Sequence, residues 1–80
     1  MTLVPEYLFH RAMRVIEGVL HEGAKKHERD SWRQESINHH CRHACAHIVA
    51  HELGDDSEDH LAHAATRLLM LLELREGKDG

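Results

Sequence analysis

The chain has 80 residues, 41% of them hydrophobic but only 4% aromatic, and a net charge of −4 with its histidines neutral. That length allows one small domain with a core of Leu, Ile, Val, Ala and Met. The charge excludes a generic nucleic-acid binder, which shows a basic stripe.

The ten histidines are scattered, so they are not an expression tag. Below a pH of about 6.5 many of them protonate and the net charge swings positive. A domain this small buries only about 60% of its unfolded surface, and such chains often add a metal, a disulfide or a partner subunit. A homo-oligomer, dimer or higher, is therefore expected. The opening "MTLVPEYLFHRAM" lacks the basic region and cleavage site of a signal peptide, and no apolar run approaches membrane-span length. With two cysteines four residues apart, a cytoplasmic, reducing location without membrane contact is expected.

In chain order, Pro5 suits the first turn of a helix, and Leu8, Ala12, Val15, Ile16, Val19 and Leu20 repeat at helical spacing. The first helix is predicted over residues 5–22, with Gly23 as terminator and Lys25 and Lys26 at the negative end of the dipole. Residues 24–33, "AKKHERDSWR", read as a polar connection with room for a helical turn. The second helix is predicted over residues 34–53, ending at Gly54, with an apolar stripe of Ile37, Cys41, Ala44, Cys45 and Ile48. Asp55, Asp56 and Ser57 are cap candidates for a third helix, Glu58 and Asp59 would lie in its first turn, and it should run to about residue 74. That helix is apolar on two sides, with Leu61, Ala65, Leu68 and Leu72 on one and Ala64, Leu71 and Leu74 on the other. The expected fold is all-α: one domain over residues 1–80, core about 5–75 and tail 76–80, with three main helices completing a bundle by oligomerisation.

His39, His43, His47 and His51 step by four along the second helix. Each step advances about 40°, so His40, His43, His47 and His51 share one sector roughly 80° wide. Of these, His39, His40 and His51 read as surface residues. His60 and His63 share a face of the third helix, with Arg67 one turn on. A tight turn at Gly54 would bring the two histidine faces together beside the acids.

Imidazoles with carboxylates suit a divalent transition metal such as Zn²⁺, whereas carboxylates alone favour Mg²⁺ or Mn²⁺. The candidate metal ligands are Asp55, Asp56, Asp59, His60 and His63, and His43 or His47 could act as general base. Cys41 and Cys45 followed by His60 and His63 imitate a zinc-finger spacing, but both cysteines fall on the apolar stripe and read as small core residues. Lys25, Lys26 and Arg42 are candidate phosphate ligands. Trp32 and Arg67 are candidates for the nucleoside, although Trp32 alone reads more readily as a plug for the bundle.

"GAKKHERDSW", "RHA" and "HLAHAATRLLMLLEL", in that order, resemble the N-terminal domain family of phage dATP/dGTP diphosphohydrolases, relatives of the MazG-like all-α nucleotide pyrophosphatases. The resemblance spans roughly residues 4–75 and matches Lys25, Lys26, Trp32, Arg42, His43, Gly54, Asp55, His60 and His63 to the family pattern. It implies a Mg²⁺- or Mn²⁺-dependent site that splits a purine deoxynucleoside triphosphate into monophosphate and pyrophosphate. The chain departs from the pattern at His27, Ser31 and Arg67, and it lacks the first half of the paired Glu-x-x-Glu signature. Two other readings stay open: a non-catalytic module that sequesters a nucleotide, and a helical interaction protein with a histidine-rich interface.

Overall fold

The computed structural model describes residues 6–28 and 30–77, with side chains from residue 8 onward. Three α-helices and two 3-10 turns follow one another, with no strand among the described residues. The all-α architecture is the one expected; the predicted start at Pro5 and the last three residues lie outside the described part.

A 3-10 turn, Glu6–Phe9, leads into α1 (His10–Lys26). α1 continues through Gly23 rather than ending there. A glycine inside a helix costs only about 1 kcal/mol relative to alanine, too little to stop this one. Lys25 and Lys26 fill the last turn, where the dipole favours them. His27 closes the helix, its N–H donating to the Gly23 carbonyl at 2.9 Å. Asp30, at φ 63°, then turns the chain into a second 3-10 turn, Ser31–Gln34.

α2 (Ile37–Glu52) starts later than predicted, because Glu35 is extended and the Ser36 hydroxyl caps the helix, accepting the His39 N–H at 3.0 Å. It ends at Leu53 and Gly54, whose φ of 82° needs a glycine. The cap of α3 (His60–Gly77) also differs from expectation. Asp55 accepts from the Ser57 N–H at 3.2 Å and the Ser57 hydroxyl at 3.0 Å, closing a local turn. Asp59 does the capping, accepting the Ala62 N–H at 3.0 Å.

α2 packs most extensively on α3, and α1 lies against α3. Among the described residues the buried apolar side chains are Ile16, Ala44, Ala62 and Ala64. His40, His60 and Thr66 are buried with them, and the Thr66 hydroxyl donates to the Ala62 carbonyl at 2.9 Å. The expected α2 stripe is therefore rotated. Cys41 and Cys45 are exposed free thiols rather than core residues, and Ile48 is also exposed. The face that meets α3 carries His40, Ala44 and His47, at helical spacing. Alanines let the two helices approach closely, and the histidines find polar partners across the gap. On α3 the expected core row Leu61, Leu68 and Leu72 stands exposed. No helix among the described residues is long and apolar enough to cross a membrane.

Candidate metal centre and adjoining cleft

The short 54–59 connection folds the start of α3 back beside the middle of α2. This places His47 next to His60 and His63, with ring centroids 5.1 Å apart in both pairs. The His47 and His60 Nδ1 atoms are 2.8 Å apart, and His60 Nε2 donates to the Asp55 carboxylate at 2.6 Å. Glu58 lies 4.0 Å from His47 Nδ1 and 3.6 Å from His63 Nε2. His47, Glu58 and His63 each offer one ligand atom, and these atoms all lie within 4.8 Å of one another. This is a possible metal-ligand group of two imidazoles and one carboxylate.

The electrostatics suit such a role. Burial lowers the His47 pKa; the Glu58 carboxylate opposes this, and His63, His60 and His43 add to the lowering. His47 is thus a neutral imidazole at neutral pH, the form that binds metals. The hydrogen bond from His60, then those from Ser57, hold the Asp55 carboxyl below its ordinary value.

A second network lies toward the other end of α2. His40 is fully buried, not a surface residue. Its Nε2–H donates to the Trp32 carbonyl at 2.9 Å. The Arg67 guanidinium donates to His40 Nδ1 at 2.8 Å and to the Glu35 carboxylate at 3.0 Å. Burial raises the Glu35 pKa, but the Arg67 hydrogen bond and charge, with His39 and His40, outweigh it and leave the carboxyl below its ordinary value. The network ties the 3-10 turn, α2 and α3 together and fixes Arg67 at the wall of a cleft.

That open cleft, of about 850 Å³, lies between the C-terminal half of α1 and α3. Lys26, Trp32, His63, Arg67 and Met70 are on its wall. The volume falls in the usual range for small-molecule sites, roughly 300–1,000 Å³. Its wall also carries Glu17, Glu22, Glu28, Asp30 and Glu35, a surplus of acid that suits a cation–phosphate complex better than a bare polyanion. His63 belongs both to the cleft wall and to the donor group, so the two features adjoin.

The residues singled out in the sequence thus divide. Trp32, Arg67, Lys26 and His63 meet at the cleft. Lys25 instead pairs with Glu22 at 2.9 Å on the surface, and Arg42 is exposed on α2, away from the cleft wall. His43 is exposed beside His39, with ring centroids 4.2 Å apart, and burial followed by the Arg67 charge lowers its pKa. Asp56 is exposed, Asp59 caps α3, and Asp55 and His60 bond each other. Sequence reasoning missed Glu58 as a donor and His40 and Glu35 as the holders of Arg67. The available signal for His40 was its spacing of four and seven from Ala44 and His47.

Fold and site together define a small all-α domain with a candidate metal centre beside a ligand-sized cleft. Residues 1–80, the whole chain, match the family model described as dATP/dGTP diphosphohydrolase, N-terminal, and the protein belongs to that family. Neither curated proteins nor solved structures give a match to the chain.

Proposed function

We propose that this protein is a metal-dependent nucleotide pyrophosphohydrolase acting on purine deoxynucleoside triphosphates, dATP or dGTP. The observation that carries this reading, beside family membership, is the placing of Lys26, Trp32 and Arg67 on one cleft that abuts the His47, Glu58 and His63 donor group. In the reaction, water attacks the α-phosphorus and the bond to the α,β-bridging oxygen breaks. Pyrophosphate leaves, the monophosphate remains, and a proton passes to solvent.

Lys26 and Arg67 would neutralise charge on the phosphates, and Trp32 offers a ring for the base. Two imidazoles and one carboxylate suit Mn²⁺ or Zn²⁺; Mg²⁺, which demands oxygen ligands, fits this set poorly. Held by His47, Glu58 and His63, such an ion would lower the pKa of a bound water and supply the nucleophile. The single carboxylate in the group favours, as second reading, a module that binds a nucleotide without turning it over.

A self-associated state belongs to the proposal. The large exposed side chains Leu61, Leu68 and Leu72 form a row on α3, while among the described residues only Ile16 and three alanines are buried as apolar core. An apolar row larger than the core beneath it calls for a partner of the same kind, and a second copy of this chain is the occupant we assign.

The test is incubation of the purified protein with each dNTP and NTP in Mn²⁺, Zn²⁺ or Mg²⁺, with products separated by anion exchange. Monophosphate and pyrophosphate from dATP or dGTP, with Mn²⁺ or Zn²⁺ more effective than Mg²⁺, are expected. Nucleotides recovered intact in every metal, at high protein concentration, would overturn turnover; retention of one of them on the protein would then select the binding module.

A further inference from the structure

Arg67 is tied down at one nitrogen. Its Nη1 donates to Glu35 Oε1 at 3.0 Å and to His40 Nδ1 at 2.8 Å, which spends both hydrogens of that amino group. A guanidinium can only donate, so the lone pair of His40 is on Nδ1. The Nε2 atom then carries the one ring proton and donates it to the Trp32 carbonyl at 2.9 Å. A charged His40 would set an N–H against the guanidinium at 2.8 Å, which excludes that form. His40 is fully buried and held at both nitrogens, so it is a fixed post. Glu35 takes only one N–H of Arg67, because its other oxygen, Oε2, lies 2.9 Å from His39 Nε2. The parallel N–H pair of Arg67 on Nε and Nη2, the edge that matches two oxygens of one anion, has no partner among the described residues. No side-chain nitrogen among them is both buried and unpartnered, so this edge is open. Arg67 lines the cleft of about 850 Å³ and not the smaller pocket beside it.

We propose that Arg67 grips one phosphate group of the nucleotide through its Nε–Nη2 edge, and that His40 and Glu35 are positioning residues that hold Nη1 and keep that edge free. The inference rests on the nucleotide reading proposed above. Its physical basis is preorganisation. An arginine ordered before the ligand arrives loses no rotamer freedom on binding, a saving of about 2–10-fold in affinity. The two holders do different work. Glu35 orders the guanidinium but offsets its charge, whereas the neutral His40 orders it and leaves the charge untouched. Recognition then comes from two directed N–H groups rather than from net positive charge, in keeping with the acid surplus of the cleft wall.

Calorimetric titration with the α,β-methylene analogues of dATP and dGTP, which cannot be cleaved at that bond, tests the proposal in the presence of Mn²⁺. Arg67→Lys keeps the charge and loses the fork, and should weaken binding roughly 10–100-fold. Glu35→Ala should weaken it about 2–10-fold with helix content unchanged. Glu35→Gln, whose amide oxygen still accepts from Nη1, should recover part of that loss. By ¹⁵N–¹H NMR, His40 should be protonated on Nε2 alone, and the Arg67 Nε–H resonance should shift when the analogue binds. Arg67→Lys binding as tightly as the unaltered protein, or an Nε–H resonance that stays in place on binding, overturns the grip while the nucleotide reading stands. Undiminished affinity in Glu35→Ala, or a His40 protonated on Nδ1, overturns the positioning roles. An unaltered protein that binds neither analogue overturns the nucleotide reading and this inference with it.

Discussion

His40 and His47 occupy the same face of α2 and carry opposite assignments. His40 uses both ring nitrogens for structure, one on the Trp32 carbonyl and one on Arg67. His47 uses one nitrogen and keeps the other. Residue type alone does not separate them; the partners do. Titration offers a check at this scale. The His43 and His47 pKa values lie below their ordinary 6.5 in the folded protein. The unfolded chain therefore takes up these protons first as pH falls. Their contribution to stability is complete above pH about 6.5 and is lost as pH falls through the lower folded values. Glu35 and Asp55 are also depressed, from 4.5 and 3.8, so their contribution is complete above those values and lost as pH falls through the folded ones. The melting temperature of the metal-free protein should thus fall in two stages on acidification, one starting near pH 6.5 and one near 4.5. A melting temperature constant from about pH 7 to 5 would contradict the lowered pKa values of these imidazoles.

Helices begin and end here by local chemistry that competition decides. Four acids and a serine precede α3, and any of several could have capped it. Asp59 does, because Asp55 is already committed to Ser57 and His60. The glycines divide in the same way. Gly23 lies inside α1 with nothing within 4 Å of an added Cβ, whereas Gly54 has a φ of 82°. Gly23→Ala should therefore raise stability, by up to about 1 kcal/mol. Gly54→Ala should lower it by a similar or larger amount, roughly 1 kcal/mol. Urea denaturation reads both. A loss of stability in Gly23→Ala would mean that the helix ends at Gly23 after all.

At the scale of the molecule, the chain holds its cleft with very little core. Polar ties substitute for apolar burial: Arg67 to Glu35 and His40, and His60 to Asp55 and His47. A small apolar core supplies modest stability in a domain of this length, so the exposed leucine row on α3 becomes the place where association adds more. Sedimentation of the purified protein should show a dimer or higher species that dissociates on dilution. Leu68→Glu, at the middle of the row and 45% exposed, should shift it to monomer with α-helix content retained. A monomer at every concentration, in the unaltered protein, would remove self-association from the proposed function.

The sequence by itself determined the all-α class, the three helices, the turn at Gly54 and the family, through helical periodicity and the order of short motifs. It also placed His47, His60 and His63 among the residues worth following, since an abundance of histidine flanking a tight turn is visible without coordinates. It misjudged most of the buried side of α2. Of the stripe Ile37, Cys41, Ala44, Cys45 and Ile48 only Ala44 is buried, and the contact with α3 adds His40 and His47, whose ring nitrogens find partners outside α2. Tertiary structure alone decided that Asp55 engages His60, that Glu58 joins His47 and His63, and that Lys26 rather than Lys25 lines the cleft. Each of these depends on where a second element stands, and periodicity along one helix carries no information about the direction from which a neighbour arrives.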